Sequence, residues 1–220
     1  VPETDTNALA EGVRRLVSAG WPPVCIFMCD LAWSVTERLW TQAETMFGAN
    51  DAVVLEPTLA AFKLDPSNDR EGKRYVGNNF GQPHRDYTYL DVFGSDSLQT
   101  DRNPRVLSVW LPLVDVTLEN GCMYVVPQVG DATGGHGEDA SSAPTFDIKA
   151  VQALAPAKAG TLFAWAGNSV HWAQVAPRKE KVLPGSVWPL FSGKSVQQLT
   201  YDMNHCRVKS FATELTCLDD

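Results

Sequence analysis

A mainly β domain, a sandwich or barrel flanked at its N-terminal end by α-helices, is the fold this sequence predicts. Three observations carry that expectation. From about Ala52 onward the 220-residue chain breaks into about eight short runs of β-branched and aromatic residues, separated by Gly, Pro, Asn and Asp. Ahead of them, two segments repeat their apolar residues at helical spacing. Between the runs, Asn120-Gly121 and Ala166-Gly167-Asn168-Ser169 have the composition of tight hairpin turns.

The first helix is expected over Thr4 to Ala19, where Leu9, Val13, Leu16 and Val17 share a face and Gly20 supplies a stop. The following Trp-Pro-Pro-Val-Cys-Ile-Phe reads as a short extended element. Asp30 has the side chain of an N-cap for a second helix through about Phe47, with Leu31, Val35, Leu39 and Met46 on one side and Gly48 beyond its end. Strands are expected at Ala52 to Leu55, Arg74 to Asn78, His84 to Val92, Val106 to Val116, Cys122 to Pro127, Gly160 to Trp165, Val170 to Val175 and Ser186 to Phe191. Gly130 to Pro144, rich in Gly, Ser, Ala and Asp, reads as a mobile loop. With no internal repeat, the chain is expected to form a single domain, residues 1–50 a helical support and residues 51–215 the β core.

Composition narrows the function. Hydrophobic residues make up 44% and charged residues 20%, close to globular averages. A net charge of -8 opposes the attraction to phosphate backbones that nucleic-acid binding draws on, so no nucleic-acid partner is expected. No run approaches the length of a membrane span, so no membrane partner is expected either. Cys25, Cys29, Cys122, Cys206 and Cys217 are odd in number and form no C-x-x-C pair, which fits reduced thiols. A cytoplasmic or organellar location is therefore expected, although a chain that starts at Val1 leaves targeting open. The sequence is silent on oligomeric state.

Candidate chemistry centres on Pro83-His84-Arg85-Asp86. With 4 His and 16 Asp in 220 residues, about 0.3 His-x-Asp triplets would arise by chance, so context must decide. On a strand, a period of two puts His84, Asp86 and Thr88 on one face, with imidazole and carboxylate converging. A third ligand would complete the 2-His-1-carboxylate set that leaves adjacent positions open on a non-haem iron. His136, in Gly-Gly-His-Gly-Glu-Asp, reads as a solvated loop residue despite its competing His-x-Glu pairing with Glu138. His205 lies in a near-terminal stretch without alternation. His171 begins the second arm of a strand-turn-strand, and ligands on strands are held more firmly than ligands on loops.

Three blocks in order, PHRD, VWLPLVDVTLENGCMYVVPQ and GTLFAWAGNSVHW, make the chain resemble the phytanoyl-CoA dioxygenase family of iron(II)- and 2-oxoglutarate-dependent oxygenases. The resemblance implies a double-stranded β-helix (jelly roll, cupin-like) and iron ligation by His84, Asp86 and His171. It also implies 2-oxoglutarate and O2 as cosubstrates, succinate and carbon dioxide as by-products, and hydroxylation of a small-molecule substrate or acyl conjugate. Asp86, where related halogenases have Ala or Gly, speaks for hydroxylation. Trp110 matches an aromatic position lining the cosubstrate pocket and is equally readable as a core residue. Tyr124 and Gln128 follow the Asn-Gly turn and are further candidates for the border of the site.

One departure stands out. The family places an Arg roughly ten to fourteen residues after the second His to hold the far carboxylate of 2-oxoglutarate. Here Arg178 and Lys181 follow His171 by 7 and 10 residues, and the stretch beyond carries Gly185 and Ser186. Lysine lacks the fork that pairs bidentately with a carboxylate. Lys181 is favoured narrowly on spacing and Arg178 on chemistry, with Lys63 and Arg74 as anchors from other strands. Two alternatives therefore stay open: an iron(II) oxygenase with another cosubstrate or reductant, and a non-catalytic jelly-roll metal-binding module. Substrate choice is expected to lie with the loops at Asp65 to Lys73 and Gly130 to Pro144.

Overall fold

A computed structural model of the chain describes residues 1–48, 53–64, 82–94, 103–118, 120–138, 142–174 and 209–218. The strands expected at Arg74 to Asn78 and Ser186 to Phe191, and the loop at Asp65 to Lys73, lie outside the described residues.

Helix α1 (Glu3–Ser18) forms where the periodicity placed it and buries Thr6, Leu9, Ala10 and Val13. Gly20, at φ 82°, takes the left-handed conformation that ends such a helix without a Cβ penalty. Helix α2 (Asp30–Phe47) buries Ala32, Val35, Thr36, Leu39, Ala43 and Phe47. Three local expectations change. Asp30 is the first helical residue and Cys29 takes the cap, so the Asp30 carboxylate acts on the positive end of the helix dipole instead of capping N–H groups. Met46 is 53% exposed and its neighbour Phe47 turns inward. Pro23–Met28 is a 3-10 helix and not an extended element, with a proline in its first turn, where the missing N–H costs nothing.

The β region contains β1 (Val53–Leu64), β2 (Val106–Pro112), β3 (Cys122–Val125), β4 (Gln152–Ala153), β5 (Phe163–Ala166), β6 (His171–Gln174) and β7 (Lys209–Leu218), with a short helix α3 (Tyr89–Phe93) between β1 and β2. One sheet has the order β1-β7-β2-β5, the other β4-β3-β6. Strand β7 runs parallel to both β1 and β2; every other pairing is antiparallel. Among the described residues the two sheets do not close into a barrel, and no helix there is long and apolar enough to cross a membrane.

Strand β1 continues past Leu55 because its register against β7 shifts between Leu55 and Leu59, and a bulge at that point tolerates Pro57, which has no N–H to pair. Every residue of β2 is buried, which is why its sequence reads as a nearly continuous apolar run. Leu107, Val109 and Leu111 pack with Leu9, Val13, Ile26, Val35 and Leu39 from the helices. Their alternates turn the other way: Trp110 packs with Val116, Cys122, Met123 and Ala173 at the second sheet. The core thus has two layers, with β2 between them.

Both predicted turns exist, but neither closes a hairpin. At the first, Asn120 Oδ1 accepts from the Thr117 N–H at 2.8 Å, Asn120 Nδ2 donates to Asp115 O at 2.9 Å and Gly121 has φ 105°. The turn carries the chain from β2 in one sheet to β3 in the other. The Gly167-Asn168-Ser169 turn likewise passes from β5 to β6, across the sheets. Local turn chemistry was readable; which strand the next one pairs with depends on long-range packing.

Candidate metal centre

The segment expected as the strand His84 to Val92 folds differently. His84 makes an isolated bridge to His171, the chain bends at Asp86 and Tyr87, and α3 begins at Tyr89. A capping box starts the helical turn: Thr88 Oγ1 accepts from the Asp91 N–H, and the Asp91 carboxylate accepts from the Thr88 N–H at 2.9 Å. That local satisfaction overrides the β preference of the neighbouring tyrosines. His84 and Asp86 therefore converge through a bend and not through strand alternation.

The bridge fixes the two histidines. His84 N–H donates to His171 O at 3.1 Å and His171 N–H donates to His84 O at 3.0 Å. Asp86 completes the group: Oδ1 lies 3.6 Å from His84 Nε2 and Oδ2 lies 3.5 Å from His171 Nε2. Donor atoms of the three residues all lie within 4.8 Å of one another. His171 is 1% exposed, on the inner face of β6, while His84 and Asp86 are partly open.

Each imidazole is oriented from behind. His84 Nδ1 lies 2.8 Å from Gln82 O, and His171 Nδ1 lies 3.0 Å from Ser169 O. A carbonyl only accepts, so both Nδ1 atoms donate to it and both Nε2 atoms are turned toward Asp86. Burial, then the neighbouring His171, lowers the His84 pKa below its ordinary value, against the raising effects of Gln82 O and Asp86. At neutral pH His84 is thus neutral, the form a metal needs. On the third ligand, Ser108 Oγ donates to Asp86 Oδ2 at 2.6 Å. Two imidazoles that turn their Nε2 atoms toward an oriented carboxylate fit a non-haem divalent metal by donor chemistry.

An aromatic wall stands beside this group. In the β2–β5 register, Ser108 pairs with Trp165 and Trp110 with Phe163. Trp110 is 2% exposed and stacks on Phe163 at 5.1 Å between centroids, while Trp165 lies 5.0 Å from the His171 ring. Trp165 Nε1 is buried and meets no acceptor among the described residues. A buried donor without a partner costs about 1–3 kcal/mol.

Behind the ligands, Arg85 points away from its neighbours and anchors residues 131–138. Its Nη1 and Nη2 pair with Asp131 Oδ2 and Oδ1 at 2.5 and 3.0 Å, and its Nε pairs with Glu138 at 3.2 Å. Burial works against the charge of Arg85, but hydrogen bonds and attraction from Asp131 and then Glu138 outweigh it and raise its pKa further. The stretch expected to be mobile is, over residues 130–138, a docked series of turns. Its composition did not show the largely enclosed cation, Arg85, around which these turns pack.

Of the residues singled out from sequence, the structure brings together His84, Asp86 and His171 and sets Trp110 in the wall near them. Tyr124 instead stacks on Trp172, 5.4 Å between centroids, and Trp172 lies on the face of β6 opposite His171. Burial pushes the Tyr124 phenol up to about 12. Gln128 is exposed at the start of a 3-10 turn. His136 packs edge-on to Tyr89, away from the three ligands. Arg178, Lys181, Arg74 and His205 lie outside the described residues, and Lys63 lies in β1. Sequence reasoning missed Ser108, whose signal was a lone hydroxyl inside a buried apolar run, and Arg85, Asp131 and Trp165.

Among known protein families, the model of the phytanoyl-CoA dioxygenase (PhyH) family matches residues 72–175, slightly less than half of the chain. That span includes all three candidate ligands together with Ser108, Trp110 and Trp165. Proteins of that family are in general iron(II)- and 2-oxoglutarate-dependent oxygenases. No curated protein and no solved structure matches the chain.

Proposed function

Starting from a chain that is phytanoyl-CoA dioxygenase-like across residues 72–175, we propose that it is a non-haem iron(II) dioxygenase that uses 2-oxoglutarate and hydroxylates a small molecule or acyl conjugate. The observation that carries this reading is the convergence of His84, Asp86 and His171 within 4.8 Å, each imidazole turned toward Asp86 by a carbonyl behind it. The fold that goes with the reading is a single domain built on a double-stranded β-helix, its two sheets being those of β2 and β6. Bound iron would supply the dioxygen chemistry that couples oxidative decarboxylation of 2-oxoglutarate to oxidation of a C–H bond.

The chain's own residues do the rest. His84, Asp86 and His171 would hold the metal. Ser108 fixes the rotation of the Asp86 carboxylate. Trp110, Phe163 and Trp165 exclude water from one flank, and the Trp165 N–H donates to an oxygen of whatever ligand occupies the site. The far carboxylate of 2-oxoglutarate falls to a cation after His171, with Lys181 favoured over Arg178.

A second reading keeps the iron and changes the cosubstrate. It is favoured by the sequence after His171, which offers no Arg at the family's usual spacing. Aerobic incubation with Fe(II) and 2-oxoglutarate separates the two. Succinate released only when both are present, and lost in His84→Ala, supports the first reading. Metal binding with oxygen consumption but no succinate, in a screen of other oxoacids, supports the second.

A further inference from the structure

We propose that Arg85, the residue between two ligands, is a positioning residue that sets the bite of the metal centre by cross-bracing both ligand-bearing segments. This rests on the metal-centre reading above and adds to it the element that keeps the centre in shape.

Two segments carry the ligands, residues 82–87 and residues 167–171. They meet through the paired backbone bonds of His84 and His171 and through Tyr87 N–H, which donates to Gly167 O at 3.1 Å. All three bonds lie along the junction itself, so they fix the separation of the segments but resist rotation about it poorly. Arg85 supplies contacts off that line. Its Nη1 donates to Asn168 O at 2.7 Å, in the turn that leads to His171, while its two terminal nitrogens grip Asp131. Asn168 is 4% exposed, and its Nδ2 donates to Gly134 O at 2.7 Å, tying the same turn to the loop that Arg85 holds. The result is a closed circuit running Arg85, Asp131, Gly134, Asn168 and back to Arg85.

The circuit is buried and tight. The Arg85 and Asp131 side chains are 10% and 4% exposed. At Gly135, with φ 84°, a Cβ would stand 2.7 Å from Arg85 Nε, so the loop passes the guanidinium at a distance that excludes any side chain. A bidentate guanidinium bond of this kind holds angle as well as distance, which lysine's ammonium does not. Moreover, Arg85 has one residue on each side, and both are ligands, so a displaced backbone at 85 moves His84 and Asp86 together.

The experiment compares wild type, Arg85→Met, Arg85→Lys and Asp131→Asn, with Arg38→Met as a control that breaks only an exposed ion pair to Asp5. Co2+ affinity and the visible absorption of the fully loaded protein report the bite; amide hydrogen exchange on the metal-free protein reports the brace. Arg85→Met and Asp131→Asn should weaken Co2+ binding by about 10–100-fold and shift the Co2+ spectrum, with Arg85→Lys recovering only part. Exchange should rise at residues 167–171 as well as at 130–138. If Arg85→Met does not fold, Asp131→Asn carries the test, since it keeps the shape and removes the charge. Unchanged Co2+ affinity and spectrum in a folded variant, or exchange that rises at 130–138 alone, would overturn the proposal by reducing Arg85 to a tether for the loop. Wild type that binds no Co2+ would sink the metal-centre reading instead, and the exchange pattern would still judge the brace.

Discussion

Removing the Ser108 hydroxyl is the perturbation whose size the structure fixes best. Ser108 is 3% exposed on β2, and its Oγ donates to Asp86 Oδ2 at 2.6 Å. A hydrogen bond to an ionised group contributes about 1.5–3 kcal/mol when buried. The Asp86 side chain is 24% exposed, so water can replace part of what the serine gave, and the loss should fall at the low end. About 1.4 kcal/mol is a tenfold change in an equilibrium constant, so Ser108→Ala should weaken divalent metal binding about ten- to thirtyfold. Metal-free stability should move less, because the carboxylate turns toward solvent without a cation to hold it. The assay is Co2+ titration against a chromophoric chelator, with thermal unfolding followed on the same samples. Affinity within twofold of wild type in a folded Ser108→Ala protein would refute the claim that this hydroxyl orients the carboxylate.

Other expectations follow from the same geometry. Leu111 is fully buried between β2 and the helices, so Leu111→Ala should cost about 2–5 kcal/mol in urea unfolding; a loss below about 1 kcal/mol would mean that the helices are not packed against that face. Trp165→Phe keeps the wall but removes the N–H that meets no acceptor among the described residues. It should leave Co2+ affinity near wild type and weaken retention of 2-oxoglutarate on the loaded protein several-fold, as followed by calorimetry; unchanged retention would show that the indole meets no ligand. Lys181→Met should raise the 2-oxoglutarate requirement more than Arg178→Met with metal binding intact; no change in either would move the anchor to another strand, such as Lys63 on β1 or Arg74.

How much of this was legible in sequence varies with the range of the interaction involved. Helices α1 and α2 were readable because their determinants lie within a few residues: Leu9 and Val13 repeat on one face, and Gly20 ends the first helix. Most strand positions were visible for the same reason. Pairing was not, since nothing near Asn120-Gly121 records that β2 turns to β5 and β7 instead of β3. Strand β7 went unseen because KSFATELTCL mixes helix-favouring Ala, Glu and Leu with Thr and gives no period. Among the ligands, His84, Asp86 and His171 were found by residue chemistry and by family likeness, yet the supposed strand beneath His84 is a bend. The error did not matter to the assignment, since residues two apart can converge in either conformation. Ser108 and Asp131 were hidden for a different cause: a partner twenty or more residues away is chosen by tertiary structure alone.

On the function proposed above, His84, Asp86 and His171 form one iron centre that takes up 2-oxoglutarate. Anaerobic calorimetry with Fe(II), with and without 2-oxoglutarate, tests it most directly. One iron per chain is expected, with 2-oxoglutarate binding that requires the metal and loss of both in Asp86→Ala while the protein stays folded. Iron binding that survives unchanged in Asp86→Ala, or 2-oxoglutarate binding that is indifferent to iron, would contradict it.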